Sequence, residues 1–108
     1  MYRSLWIAMV FVISTSTTLA IAQLAEPTDD EIRHTIIREC RAIYHERRRC
    51  ACPDDHDIRG VRCGRRSAYV KPGGASPFCR PEDITDNHLA RYRAGDKVFM
   101  DQRCIAPR

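Results

Sequence analysis

The chain has 108 residues, of which 44% are hydrophobic and 30% charged, with six Cys, six Pro, five Gly and a formal net charge of +4. This size and balance exclude a large enzyme, a multi-domain protein, and a collagen-like or low-complexity chain. Six Cys in so short a chain also argue against an ordinary reduced cytosolic domain.

The N-terminus reads as a targeting segment. Arg3 is the sole charge before Glu26, Leu5 to Ile13 is an unbroken apolar run, and Ala20-Ile21-Ala22 follows a Ser/Thr stretch. A short positive end, a short apolar core and an A-x-A site predict a secretory signal peptide over 1–22. The run is too short for a membrane anchor, which needs about 20 apolar residues, and no later segment is long enough to span. Residues 23–108 are then expected as one small disulfide-stapled domain, secreted or periplasmic. Without Arg3 it carries 17 Lys+Arg against 14 Asp+Glu, and 15 of the cations are Arg.

The mature part is expected to be mainly α with irregular loops. Thr28 and Glu31 have capping-box spacing, and Asp29 and Asp30 suit a helix N-terminus. Ile32, Ile36, Cys40, Ile43 and Tyr44 form one apolar stripe. Together they predict a long amphipathic helix over about 29–47, with Arg47-Arg48-Arg49 at its C-terminal end. Pro53, Gly60, Gly64, Pro72, Gly73, Gly74 and Pro77 then argue for an irregular segment over 50–80, relieved by one short strand at Ser67-Ala68-Tyr69-Val70. A second, short helix is predicted over about 86–94. Thr85 is its N-cap, Ile84 and Leu89 have hydrophobic-staple spacing, and Gly95 stops it. The tail from 96 is expected to be pinned by Val98-Phe99-Met100 and Cys104.

Cys40, Cys50, Cys52, Cys63, Cys79 and Cys104 predict three disulfides. A bridge between Cys50 and Cys52 would be strained. The two point opposite ways in an extended chain, so they should reach different partners. Cys40 lies on the helix stripe and Cys104 in a tail that needs anchoring, so the expected set is Cys40–Cys104, with Cys50 and Cys52 sharing Cys63 and Cys79. Zinc is the competing use, but one C-x-C and two isolated Cys fit zinc spacing poorly.

Asp55 to Cys63 reads D-x-D-x-R-G-x-x-C and resembles the calcium loop of the Excalibur family, D-x-D-x-D-G-x-x-C. The resemblance implies a calcium site in a small extracellular module. Arg59, however, stands at the third Asp position, and a cation there repels the ion. The expectation is a turn salt-bridged from Arg59 to Asp55 or Asp57, and no metal ligand is assigned. Cys50-Ala51-Cys52-Pro53, Arg62-Cys63-Gly64, Ser67-Ala68-Tyr69 and Pro72-Gly73-Gly74 resemble a segment of small Cys-rich exported bacterial proteins. That family has no assigned activity, so the resemblance implies bacterial export and no mechanism.

Between Arg33 and Arg66 lie ten Arg and five acids. Arg47, Arg48, Arg49, Arg62, Arg65 and Arg66 flank the C-x-C, and the bridges are expected to gather them into one anion-binding face. Lys71 to Pro77 is a turn-rich loop without the G-K-[ST] element of a P-loop, though its glycines let a backbone approach an anion or glycan. The leading expectation is a non-enzymatic binding or structural module for an acidic partner: an envelope polymer, a protein or a nucleic acid. No cofactor and no catalytic residue is assigned.

One alternative is a His-dependent nuclease. His34 and His45 lie eleven residues apart on the helix, about 16 Å by helical rise, too far to share one site. His45 with His56 or His88 is the remaining pairing. A further alternative is a secreted antagonist of other cells.

Overall fold

The computed structural model describes residues 25–107; the expected signal peptide, 1–22, lies outside them. Three helices pack around two small apolar clusters, joined by irregular chain and three disulfides, and among the described residues there is no β-strand.

Helix α1 (Asp29–His45) begins at the anticipated cap. Glu31 N donates to Thr28 Oγ1 at 3.3 Å, and Thr28 N donates to the Glu31 carboxylate at 2.7 Å. Its buried residues, Ile32, Ile36, Cys40 and Tyr44, recur every fourth position and so form one stripe. The helix stops two residues short of the predicted 47. The Tyr44 carbonyl accepts from both Arg47 N (3.2 Å) and Arg48 N (3.0 Å), which tightens the last turn. The chain leaves the axis there toward the Cys50 bridge, so Arg47-Arg48-Arg49 sits beyond the helix end.

The predicted strand at 67–70 is a pair of turns. Ala68 N and Tyr69 N donate to Cys50 O and Ala51 O, and then Val70 N and Lys71 N both fold back onto Ser67 O. The segment is side-on to the C-x-C stretch for two bonds and has no partner strand to extend them. The only ladder element among the described residues is one bridge, His56 to Arg62.

Helix α2 (Asp86–Arg93) ends one residue before the predicted 94. Thr85 caps it, with Ile84 and Leu89 both buried, and Gly95 closes it at φ +79°. The tail holds an unanticipated third helix, α3 (Val98–Cys104), which buries Phe99, Met100 and Cys104 against α1. Its first amide, Val98 N, donates to Asp96 Oδ1 at 3.0 Å. The main core joins Ile32, Ile36 and Cys40 of α1 to Phe78, Ile84, Leu89, Phe99, Met100 and Cys104. Tyr44, Ala51, Cys52 and Ala106 form a second cluster under the loops.

The bridges are Cys40–Cys104, Cys50–Cys63 and Cys52–Cys79, with Sγ–Sγ distances of 1.97, 2.02 and 2.00 Å. The first ties α1 to α3, as the sequence predicts. The other two resolve how Cys50 and Cys52 share their partners. Such bridges persist in an oxidising environment. Among the described residues no helix is long and apolar enough to cross a membrane.

Candidate anion-binding cleft

Where the chain leaves α1, the Cys50–Cys63 bridge draws two later turns alongside it. The result is an open cleft of about 550 Å³. Arg47, Arg48 and Arg49 line it from the helix exit, Asp57 and Ile58 from the first turn, and Arg66 from the 3₁₀ turn 64–66. Lys71 and Pro72-Gly73-Gly74 add a rim from the loop. Gly73 has φ +79°, a conformation that favours glycine. Tyr44, Ala68, Ala75 and Pro107 supply the apolar lining.

The charges are unequal. Arg66 Nη1 lies 2.9 Å from Asp57 Oδ2 and is neutralised there. The Val61 amide and then the Arg66 guanidinium hold the Asp57 carboxyl below its usual range. Arg47 Nη1 donates to Ala106 O at 3.4 Å, a neutral partner. Among the described residues Arg47, Arg48, Arg49 and Lys71 make no ion pair, so four uncompensated cations surround the cleft.

The six-Arg face is thus only partly assembled. Arg47, Arg48, Arg49 and Arg66 meet at the cleft. Arg62 lines a separate groove with Arg41, Asp54 and Arg80, donating through Nε to Pro53 O at 3.3 Å. Arg65 is exposed and outside the cleft lining. Adjacent residues of a 3₁₀ turn point about 120° apart, which separates Arg65 from Arg66. Lys71 joins the site instead, carried by the loop whose glycines signalled it. Tyr44, Ile58 and Pro107 had no sequence signal.

The Asp55–Cys63 stretch is held by protein contacts. Asp57 Oδ1 accepts from Arg59 N (2.9 Å) and Val61 N (3.0 Å). The Arg59 guanidinium stands 3.8 Å from Asp57, so Arg66 is the closer counter-charge. Asp55 is buried and turns away, accepting from Cys52 N at 2.8 Å and pairing with His45 Nε2 at 3.1 Å. Among the described residues no group of three His, Cys, Asp or Glu side chains gathers as a metal site would.

The histidines do not converge. His34 and His45 line one shallow groove along α1 with Arg38, Arg41 and Asp55. His56 is exposed. His88 is half-buried against Phe78 and Phe99 at the edge of the core, and its Nδ1 accepts from Thr85 N at 3.1 Å. In the neighbouring groove, burial opposes the charge of Asp54, but the 2.8 Å Arg41 hydrogen bond and nearby Arg62 outweigh it and lower its pKa.

No family model, curated protein or solved structure matches the chain.

Proposed function

We propose that this protein is a non-enzymatic exported binding module whose cationic cleft receives an acidic partner. The observation that carries this reading is the set of four uncompensated cations, Arg47, Arg48, Arg49 and Lys71, around one cleft of about 550 Å³. Guanidinium groups take phosphate and carboxylate bidentately, and clustered cations raise the local concentration of anions. The Cys50–Cys63 bridge fixes the Asp57–Ile58 turn beside the Arg47-Arg48-Arg49 wall, so little ordering of that side of the cleft opposes binding.

Titration with long-chain polyphosphate at about 50 and 500 mM NaCl tests this reading. Affinity should fall by at least about tenfold at the higher salt. It should also fall in R47A/R48A/R49A and stay near wild type in R65A. Affinity unchanged between the two salts would overturn it.

The contact between His45 and the buried Asp55 supports a second reading, a His-dependent nuclease. A carboxylate can orient an imidazole for proton transfer, with Arg38 and Arg41 along the same groove. Turnover of RNA or DNA that disappears in His45→Ala would establish it. No turnover at any pH from about 5 to 8 would eliminate it.

A further inference from the structure

Beside the cationic cleft the surface carries an apolar tip. Ile58, one residue into the turn Asp57–Gly60, is 80% exposed, and Val61 across the turn is 52% exposed. Val70, next to Lys71, is 46% exposed. Ile58 and Lys71 line the same cleft, so both turns stand on the side that Arg47, Arg48 and Arg49 occupy.

The tip is rigid. Gly60 N donates to Asp57 O at 3.0 Å, and Asp57 N donates to Val61 O at 2.9 Å. Asp57 Oδ1 takes two further amides, and the Cys50–Cys63 bridge closes the base. An apolar side chain is therefore held out in water at little further entropy cost on insertion.

A soluble polyanion makes no use of an exposed isoleucine. A sugar ring is commonly received on an open aromatic face, whereas Tyr44, the one aromatic lining the cleft, is 5% exposed. Apolar tips among unpaired Arg and Lys suit a bilayer interface. There the cations meet lipid phosphates and the apolar groups enter the acyl boundary.

We propose that this face docks on an anionic lipid bilayer. Arg47, Arg48, Arg49 and Lys71 would hold headgroup phosphates while Ile58, flanked by Val61, enters the interface. This proposal rests on the cationic-cleft reading and names the partner of that site.

The test uses the oxidised protein recovered after export. It is sedimented with phosphatidylcholine vesicles holding about one third phosphatidylglycerol, with pure phosphatidylcholine vesicles, and titrated in parallel with polyphosphate. Binding is expected to the anionic vesicles and not to the neutral ones. R47A/R48A/R49A should weaken vesicle partitioning by about 100-fold and weaken polyphosphate binding too. Ile58→Ser should weaken vesicle partitioning by about tenfold and leave polyphosphate binding unchanged. Polyphosphate binding without vesicle binding would overturn the bilayer proposal and leave the acidic-partner reading standing. Binding of the wild-type protein to neither anionic vesicles nor polyphosphate would overturn both. Equal binding to neutral vesicles, or no effect of Ile58→Ser, would overturn the bilayer proposal.

Discussion

His88 lies stacked on Phe99, the ring centroids 5.0 Å apart and the planes 26° from parallel, while Phe78 meets it edge-on, its centroid also 5.0 Å away. Burial pushes the His88 pKa below its ordinary 6.5, and the charges of Arg103 and Arg91 push it the same way. Its Nδ1 also accepts the Thr85 amide, a bond that only the neutral ring with an open Nδ1 can make.

The sign follows from linkage. Because the folded-state value is lowered, the unfolded chain binds the proton more readily, and stability falls as pH drops below about 6.5. Carboxylates such as Asp54, Asp57 and Asp96 are held below 3.8 and stay ionised through that window. Thermal unfolding should show Tm declining between about pH 7 and pH 5. The decline should be shallower in His88→Gln, which cannot titrate. An equal decline in the variant would remove His88 as its source.

The Cys40–Cys104 bridge spans 64 residues and Cys50–Cys63 spans 13. Loop-closure entropy then assigns about 4 kcal/mol to the first and about 3 kcal/mol to the second. Cys40 and Cys104 are also fully buried, at the junction of α1 and α3. Cys40→Ala with Cys104→Ala should lower the urea midpoint further than Cys50→Ala with Cys63→Ala. Intact mass should rise by about 6 Da on reduction, two hydrogens per bridge. The reverse order of midpoints would show that chain entropy is not what these bridges contribute.

The features legible in the sequence were those with local physics. Thr28, Glu31 and the 32-36-40-44 stripe state α1 within one segment, and Thr85 with Gly95 brackets α2. The pairing of Cys40 with Cys104 followed from their places on a helix stripe and in a tail. Helix α3 carries little sequence signal, since seven residues make less than two turns and Lys97 provides no side-chain cap. Beyond the one local bond from Val98 N to Asp96 Oδ1, packing on α1 and the bridge at Cys104 hold it, and neither of these is local. Tyr69 and Val70 favour extended chain, but strand propensity describes a fit to neighbours that the Ser67–Val70 segment lacks. At the cleft, Arg47-Arg48-Arg49 was readable as a run. Its coincidence with Lys71 and Ile58 depends on how the bridges fold the loops, as does the placing of Arg62 in the Arg41 groove, while a single 3₁₀ turn separates Arg65 from Arg66.

Phe78 lies near the end of the irregular segment 50–80, yet it is fully buried in the main core. Its amide donates to Cys40 Sγ at 3.2 Å, and the Arg103 guanidinium sits 4.1 Å over its ring. Phe99 meets it edge-on at 6.0 Å. Removing the ring takes a packed face from His88, Phe99 and Arg103 together. Phe78→Ala should cost about 3–5 kcal/mol in chemical denaturation, and Phe78→Leu clearly less. A loss below about 1 kcal/mol for the alanine variant would show that the core closes over the gap.

Ser67 is fully buried, and its Oγ finds no hydrogen-bond partner among the described residues. The backbone of Ser67 does the structural work: its amide donates to Gly64 O, and its carbonyl accepts from Val70 N and Lys71 N. Alanine keeps all three bonds and the extended backbone at this position. It also removes a hydroxyl whose burial is uncompensated, a cost of about 1–3 kcal/mol. Ser67→Ala should therefore leave Tm unchanged or raise it, with the Lys71 rim of the cleft undisturbed and polyphosphate affinity unaltered. A Tm loss equivalent to more than about 1 kcal/mol would mean that the hydroxyl is hydrogen-bonded in solution. The turn that carries Lys71 would then depend on a side-chain contact as well as on its backbone.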